Sequence, residues 1–195
     1  WQADNIMATD TVRYRGHAVA AIAAIDRNTA IEAAKLVRVD YKSLPPVLSV
    51  KQAISNKATL IHPNAEFDHL GESTPQTNIA SHIKLTIGNT VAGFEQASLI
   101  IERTAQMRMV HQGYIEPHNA TVFWDQDNRV SVWSSTQGMF GIRDQLAELF
   151  DLPESNITVN PVEIGGGFGG KTTVYLSPIA ALLSKQVHLP VKMVM

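Results

Sequence analysis

The sequence predicts a mixed α/β (α+β) chain, and three patterns predict it. Strand-like and helical stretches alternate along the 195 residues. One amphipathic stretch, Gly138 to Phe150, puts Met139, Ile142, Leu146, Leu149 and Phe150 on a single helical stripe. A glycine loop, Gly165-Gly166-Gly167-Phe168-Gly169-Gly170-Lys171-Thr172, stands between a strand-like lead-in and an apolar run from Val174 onward. A chain of this length holds one large or two small domains and buries about 70% of its unfolded surface.

Composition narrows the function classes. Hydrophobic residues at 45% and charged residues at 17% describe an ordinary soluble globular protein. A net charge of −2 without long charged blocks gives no reason to expect nucleic acid or anionic lipid as partners. The absence of cysteine excludes disulfides, thiolate metal sites and iron–sulfur clusters within this chain. The apolar run Ala18 to Ile25 falls far short of the ~20 residues of a membrane span, so no membrane association is expected. No targeting signal is visible and a cytoplasmic location is expected. The opening Trp1-Gln2-Ala3-Asp4 and the finish at Met195 directly after a strand-like Pro190 to Met195 read as an internal fragment of a longer chain.

The elements follow in order. Val12 to Arg15 and the continuously apolar Ala18 to Ile25 predict strands, with a turn at Gly16-His17. Asn28 or Thr29 caps a helix to about Lys35, and Val37 to Tyr41 alternates at the strand period. Leu44-Pro45-Pro46 closes that unit, and Ser49 to Ile54 reads as a short helix. The weakly patterned, Pro- and Asn-punctuated stretch that follows reads as a linker, with His62 and His69 solvated inside it. His82 to Ile87 predicts a strand, Asn89 caps a short helix, and Leu99 to Val110 alternates as one long strand. Ala120 to Trp124 and Arg129 to Ser134 form a hairpin across Asp125-Gln126-Asp127-Asn128. After the Gly138 to Phe150 helix, Ile157 to Ile164 leads into the glycine loop, and a last helix spans roughly Thr173 to Lys185, with Pro178 in its first turn or kinking it.

Five of the twelve glycines fall within six residues of that loop. A tight turn needs one or two, so the cluster points to a backbone that contacts a ligand closely. Gly165 to Thr172 also satisfies G-x-x-x-x-G-K-[ST], the phosphate-loop pattern, in which Lys171 reaches terminal phosphates and Thr172 holds Mg²⁺. Against that reading, no aspartate or glutamate occurs in the 23 residues after Thr172 to supply the later acidic strand such a site needs.

The same loop resembles the cofactor loop of the molybdenum hydroxylases, the xanthine dehydrogenase and aldehyde oxidase family. Trp133-Ser134-Ser135-Thr136-Gln137-Gly138 with Arg143-Asp144 and Leu152-Pro153 is similar to the family's preceding stretch, and Ile115-Glu116-Pro117-His118 to a segment before that. Val12 to Ala20, with Asp40-Tyr41 and Leu44-Pro45-Pro46-Val47, resembles the latter part of its small α/β hammerhead domain. The likeness covers nearly the whole chain in the family's order. It implies residues 1–56 as the end of a hammerhead-like domain, 57–78 as linker and 79–195 as the start of a mixed α+β molybdopterin-binding domain.

The resemblance implies an oxidoreductase that hydroxylates an aldehyde, purine or other N-heterocycle with water as oxygen source. Its molybdenum is held by the dithiolene of a pyranopterin, in simple or dinucleotide form, rather than by side chains. Iron–sulfur clusters and FAD lie on other subunits or domains, and an oligomer is expected. By carry-over Gly166, Gly167, Phe168 and Gly169 line the cofactor, the Phe168 backbone nearest the metal's oxo ligand. Relatives place a glutamine donor six residues before the glutamate matching Glu116; that position is Val110, and Gln112, on the same side of a regular strand, takes the role, with His111 as alternative. Gln137 reads as a structural turn, Glu116 as a structural hydrogen-bonding residue and His118 as solvated or core-satisfied. The family's catalytic glutamate lies downstream of the glycine loop and outside this sequence, so no catalytic residue is assigned and the chain alone is expected to be inactive. A non-catalytic scaffold of the same fold is the third possibility.

Overall fold

A computed structural model describes residues 2–195 and, within them, all side chains except those at 2, 68, 69 and 73–75. In chain order the helices and strands are α1 (Gln2–Ile6), α2 (Arg27–Lys35), α3 (Val50–Ala53), β1 (Glu66–His69), β2 (Glu72–Pro75), β3 (Ser81–His82), α4 (Thr90–Gln96), β4 (Asn119–Trp124), β5 (Val130–Ser134), α5 (Met139–Phe150), β6 (Ile157–Pro161), α6 (Ser177–Val187) and β7 (Val191–Val194). The fold is α+β. Two compact units divide the chain: Trp1–Tyr41 with His111–Met195, and Lys42–Val110.

The first unit holds the core. Its sheet runs β6-β5-β4-β7, with β5 and β6 parallel and the other neighbours antiparallel. Strand period 2 sends Ala120, Val122 and Trp124 of β4 and Val130 and Val132 of β5 to one buried face. Ile142, Leu146 and Ala147 of α5 and Ala180 and Ala181 of α6 pack into the same cluster. The β4–β5 hairpin turns as predicted, because Asp125 Oδ1 accepts from the amides of Asp127 (2.9 Å) and Arg129 (2.8 Å). Helix α5 stops at Asp151 in left-handed conformation with Pro153 beyond. Helix α6 begins at Ser177, four residues later than the apolar pattern implied, with Pro178 seated in its first turn. Strand β6 ends at Pro161, opposite Ser134, and the glycine loop with α6 carries the chain to β7 on the opposite sheet edge.

Several expected strands are absent as ladders. Residues 12–15, 19–25, 37–41, 83–87 and 99–110 join no sheet, and Ala18 makes a single bridge, to Met7. Alternation favours an extended backbone, but a strand exists only within a hydrogen-bonded ladder, and among the described residues no second strand lies alongside these segments. Helix α2 is capped by Asp26, whose Oδ1 accepts from Thr29 N at 2.8 Å, rather than by Asn28 or Thr29. Asn89 caps α4 as expected.

In the second unit, the polar stretch read as a linker contains the β1–β2 hairpin, turned by Leu70 (φ 56°) and Gly71 (φ 88°). Asn78 ties the segment before it, accepting from Ile61 N and donating to Ala53 O and Thr59 O. His62 meets Phe67 edge-on, with ring centroids 6.4 Å apart. The side chain of His69 lies outside the described ones.

Candidate functional site

The glycine loop is held at both ends by one carboxylate. Glu116 Oε2 accepts from Gly165 N at 2.7 Å and from Lys171 Nζ at 2.6 Å, while Glu116 N donates to Gly165 O. Its other oxygen, Oε1, accepts from Asn119 Nδ2, which also reaches Ser135 Oγ at the end of β5. The Lys171 side chain is fully buried, Glu116 retains 27% exposure, and the ammonium sits 5.0 Å from the centre of the Tyr114 ring. The Lys171 ammonium beside Glu116 holds the carboxyl below the ordinary glutamate range, against the opposing effect of burial and with help from the amides of Gly165 and Asn119.

Gln137 secures the middle. Its Oε1 accepts from Gly169 N (3.1 Å) and Lys171 N (3.2 Å), and its own amide donates to Lys171 O at 2.8 Å, a carbonyl also bonded by Thr136 Oγ1. The two segments approach so closely that a Cβ on Gly167 would lie 2.4 Å from Gln137 Oε1, so a larger residue there would displace the glutamine side chain from the loop. Gly170 N turns back to Gly167 O at 2.7 Å. The amides of Gly166, Gly167 and Phe168, by contrast, donate to no protein atom among the described residues. Phe168 adopts φ 49°, a conformation disfavoured for a bulky side chain, and leaves its ring 72% exposed.

Behind the loop lies an aromatic and polar layer. Tyr114 Oη is 2.8 Å from His118 Nε2, and His118 stacks at a tilt on Tyr175, 4.4 Å between centroids. Burial first, then the charges of Lys171 and His111, push the His118 imidazole below its ordinary range, only partly countered by Glu116. A neutral His118 shares one hydrogen bond with the tyrosine hydroxyl through Nε2, its direction set by the imidazole tautomer. A small polar cavity lined by His118, Asn119, Ser135, Thr136, Lys171 and Thr173 borders this layer.

This geometry separates the two readings of the loop. A phosphate loop needs a free lysine and a helix starting at its end. Lys171 is instead buried and neutralised, Thr172 Oγ1 bonds back to Gly169 O, and α6 begins only at Ser177. The geometry does not favour the phosphate-loop alternative, against which the sequence already argued. What the loop leaves without a protein acceptor are three backbone donors above a neutralised ion pair, with Phe168 exposed, Gly166 half-buried and Gly167 buried. Such donors suit an acceptor-rich group, and without a free lysine beside them they lack the cation that a polyphosphate site uses. No three His, Asp or Glu side chains gather as metal ligands among the described residues.

Of the residues singled out from sequence, Gly166, Gly167, Phe168 and Gly169 share this loop. Gln112 is exposed and lies beside it, its Cδ 3.0 Å from where a Gly170 Cβ would stand. Gln137, read as a turn residue, and Lys171, read as a phosphate ligand, are the residues whose roles sequence reasoning missed. The one available signal was a lone lysine inside a glycine run with a single acid, Glu116, in a segment tied to the same motif.

Residues 70–195 match the family described as the molybdopterin cofactor-binding domain, and residues 1–45 match the aldehyde oxidase and xanthine dehydrogenase a/b hammerhead domain. The chain is 30% identical over 187 residues to a probable xanthine dehydrogenase of Bacillus subtilis (strain 168), covering 96% of this chain and 24% of that protein. It is 32% identical over 203 residues to the probable hypoxanthine oxidase XdhD of Escherichia coli O157:H7, covering 91% and 21% respectively. A reconstituted CO dehydrogenase from Oligotropha carboxidovorans superimposes with a TM-score of 0.73 at 26% identity, over 87% of this chain and 22% of that one. The chain thus spans less than a quarter of the length of these relatives.

Proposed function

The chain belongs to the aldehyde oxidase and xanthine dehydrogenase family of molybdopterin-dependent oxidoreductases, and from that premise we propose that it is part of a large catalytic subunit that hydroxylates an aldehyde, purine or other N-heterocycle. The bound molybdenum–pyranopterin supplies two-electron oxidation with water as oxygen source, and the electrons leave through iron–sulfur clusters, and FAD where present, on partner subunits or domains. Residues 1–56 finish the hammerhead-like domain, 57–78 connect the two and carry the β1–β2 hairpin, and 79–195 begin the cofactor domain. The protein is cytoplasmic and oligomeric, and the chain alone is inactive. Among the described residues no helix is long and apolar enough to cross a membrane.

The observation that carries this reading is the row of unused amides at Gly166, Gly167 and Phe168, set on a loop pinned from behind. These amides hold the cofactor by donating to its acceptors, and Gly169 leaves room beside them. Side-chain amides finish the cradle. Gln112 flanks the loop at Gly170, and Gln137, whose oxygen is already committed to the loop, has Nε2 left to donate. Lys171 is fully buried and bonded to Glu116, so it would not itself hold the cofactor.

The test is molybdenum and oxidised-pterin content per chain in the full-length protein. Near-stoichiometric amounts of both are expected. A folded full-length protein lacking both sinks the reading and leaves a non-catalytic scaffold of the same fold.

A further inference from the structure

We infer that Glu116 and Lys171 are positioning residues of the cofactor loop: through one shared oxygen they fix the distance between its first amide and its closing side chain, and so decide which amides face outward. This rests on the reading above and concerns how the loop is kept ready. Gly165 opens the loop and Lys171 closes it, and both donate to Glu116 Oε2, at 2.7 and 2.6 Å. Asn119 braces the opposite oxygen from the start of β4 at 3.0 Å. With the ends held, the amides of Gly165, Gly169, Gly170 and Lys171 all point to protein acceptors, and those of Gly166, Gly167 and Phe168 donate to none among the described residues.

Charge argues the same way. A buried ammonium without a counter-ion would draw water or an anion beneath the loop and pull its backbone inward; a carboxylate within hydrogen-bond distance removes that demand. The loop then recognises its ligand by directional N–H donors rather than by net charge. The side chain is too deeply buried for any external group to reach, so Lys171 serves the loop rather than the ligand.

A purely structural pair predicts that cofactor content follows fold stability. A positioning pair predicts that the two separate. In the full-length protein, Glu116→Gln lowers both the melting temperature and the pterin and molybdenum content. Adding Lys171→Met removes the uncompensated charge, so the melting temperature recovers while cofactor content stays at least ~10-fold below wild type. Glu116→Asp keeps the charge but withdraws the oxygen from Gly165, and it too loses cofactor with only a small change in melting temperature. Cofactor content that recovers together with melting temperature, or that is undiminished in Glu116→Asp, overturns the inference and leaves the reading of the site intact. Wild-type protein without pterin or molybdenum overturns that reading, and the inference falls with it. If the double variant does not fold, Glu116→Asp alone decides.

Discussion

A lysine whose ammonium is sealed from water is held in place by its partner, because removing one member of a buried ion pair typically costs roughly 3–5 kcal/mol. Lys171 and Glu116 lie 55 residues apart in sequence, so no local pattern announces them; nor does any announce Gln137, which meets the loop across 32 and 34 residues. The glycines were legible and their partners were not, since composition marks a backbone that must pass close to something without naming it. The same layer sets an acid response. Glu116 has a folded-state pKa below its unfolded value, so its contribution to stability is complete above ~4.3 and is lost as pH falls through the folded value. His118 is also depressed, so its contribution is complete above ~6.5 and declines as pH falls from there, when the unfolded chain takes up the proton first. Stability measured by denaturant titration should therefore fall in two stages on acidification, an upper one that His118→Gln flattens and a lower one that Glu116→Gln flattens. A wild-type profile level from pH 7 to 5, or an upper stage untouched by His118→Gln, contradicts this account.

At the scale of elements, the sequence was readable wherever an element carries its own signal. The β4–β5 hairpin shows alternation on both arms and an Asp-Asn turn; α5 shows a full apolar stripe and a Pro stop; β7 alternates cleanly. The strands expected at 12–15, 18–25, 37–41 and 99–110 carry alternation or a continuous apolar run, yet they join no sheet among the described residues, and pairing is a property of two segments that one segment cannot display. Ser184 shows a different limit. A serine in an apolar helix reads as a minor interruption, but its fully buried Oγ accepts from Trp124 N at 3.0 Å and donates to Leu189 O at 2.7 Å, coupling α6 to β4 and to the turn that delivers β7. Ser184→Ala leaves the buried Trp124 amide unpaired and frees the carbonyl of the exposed Leu189, and should cost about 1–3 kcal/mol. It should lower the denaturant midpoint without altering the slope, because the surface exposed on unfolding is unchanged. A shift below ~0.5 kcal/mol would mean that the backbone finds other partners when the hydroxyl is removed.

At the scale of the whole molecule, the family was legible because several motifs occur in a fixed order, a signal that survives even where individual strands were misjudged. Substrate was not, because recognition of a substrate depends on side chains around the cofactor's open face, and the chain spans only 24% of the Bacillus subtilis relative it matches. Surface chemistry carries the remaining argument. In the second unit Ile83, Leu85 and Ile87 are each more than 80% exposed on one period-2 face, and Met107 and Val110 are 91% and 82% exposed. In the first unit Ile115 is 97% exposed and Phe140 62%. Single exposed apolar residues are ordinary, but runs of them on extended backbone outside any sheet offer both hydrophobic area and hydrogen-bonding groups to another chain. A net charge of only −2 supplies little repulsion to oppose association. The isolated 195-residue chain should therefore self-associate, with a weight-average mass by light scattering that rises with concentration. Replacing Ile83, Leu85 and Ile87 together with Lys should lower that mass, because the substitutions remove apolar area and charge the edge without touching the buried core. A monodisperse monomer at all concentrations would show that these segments rearrange to cover themselves in solution.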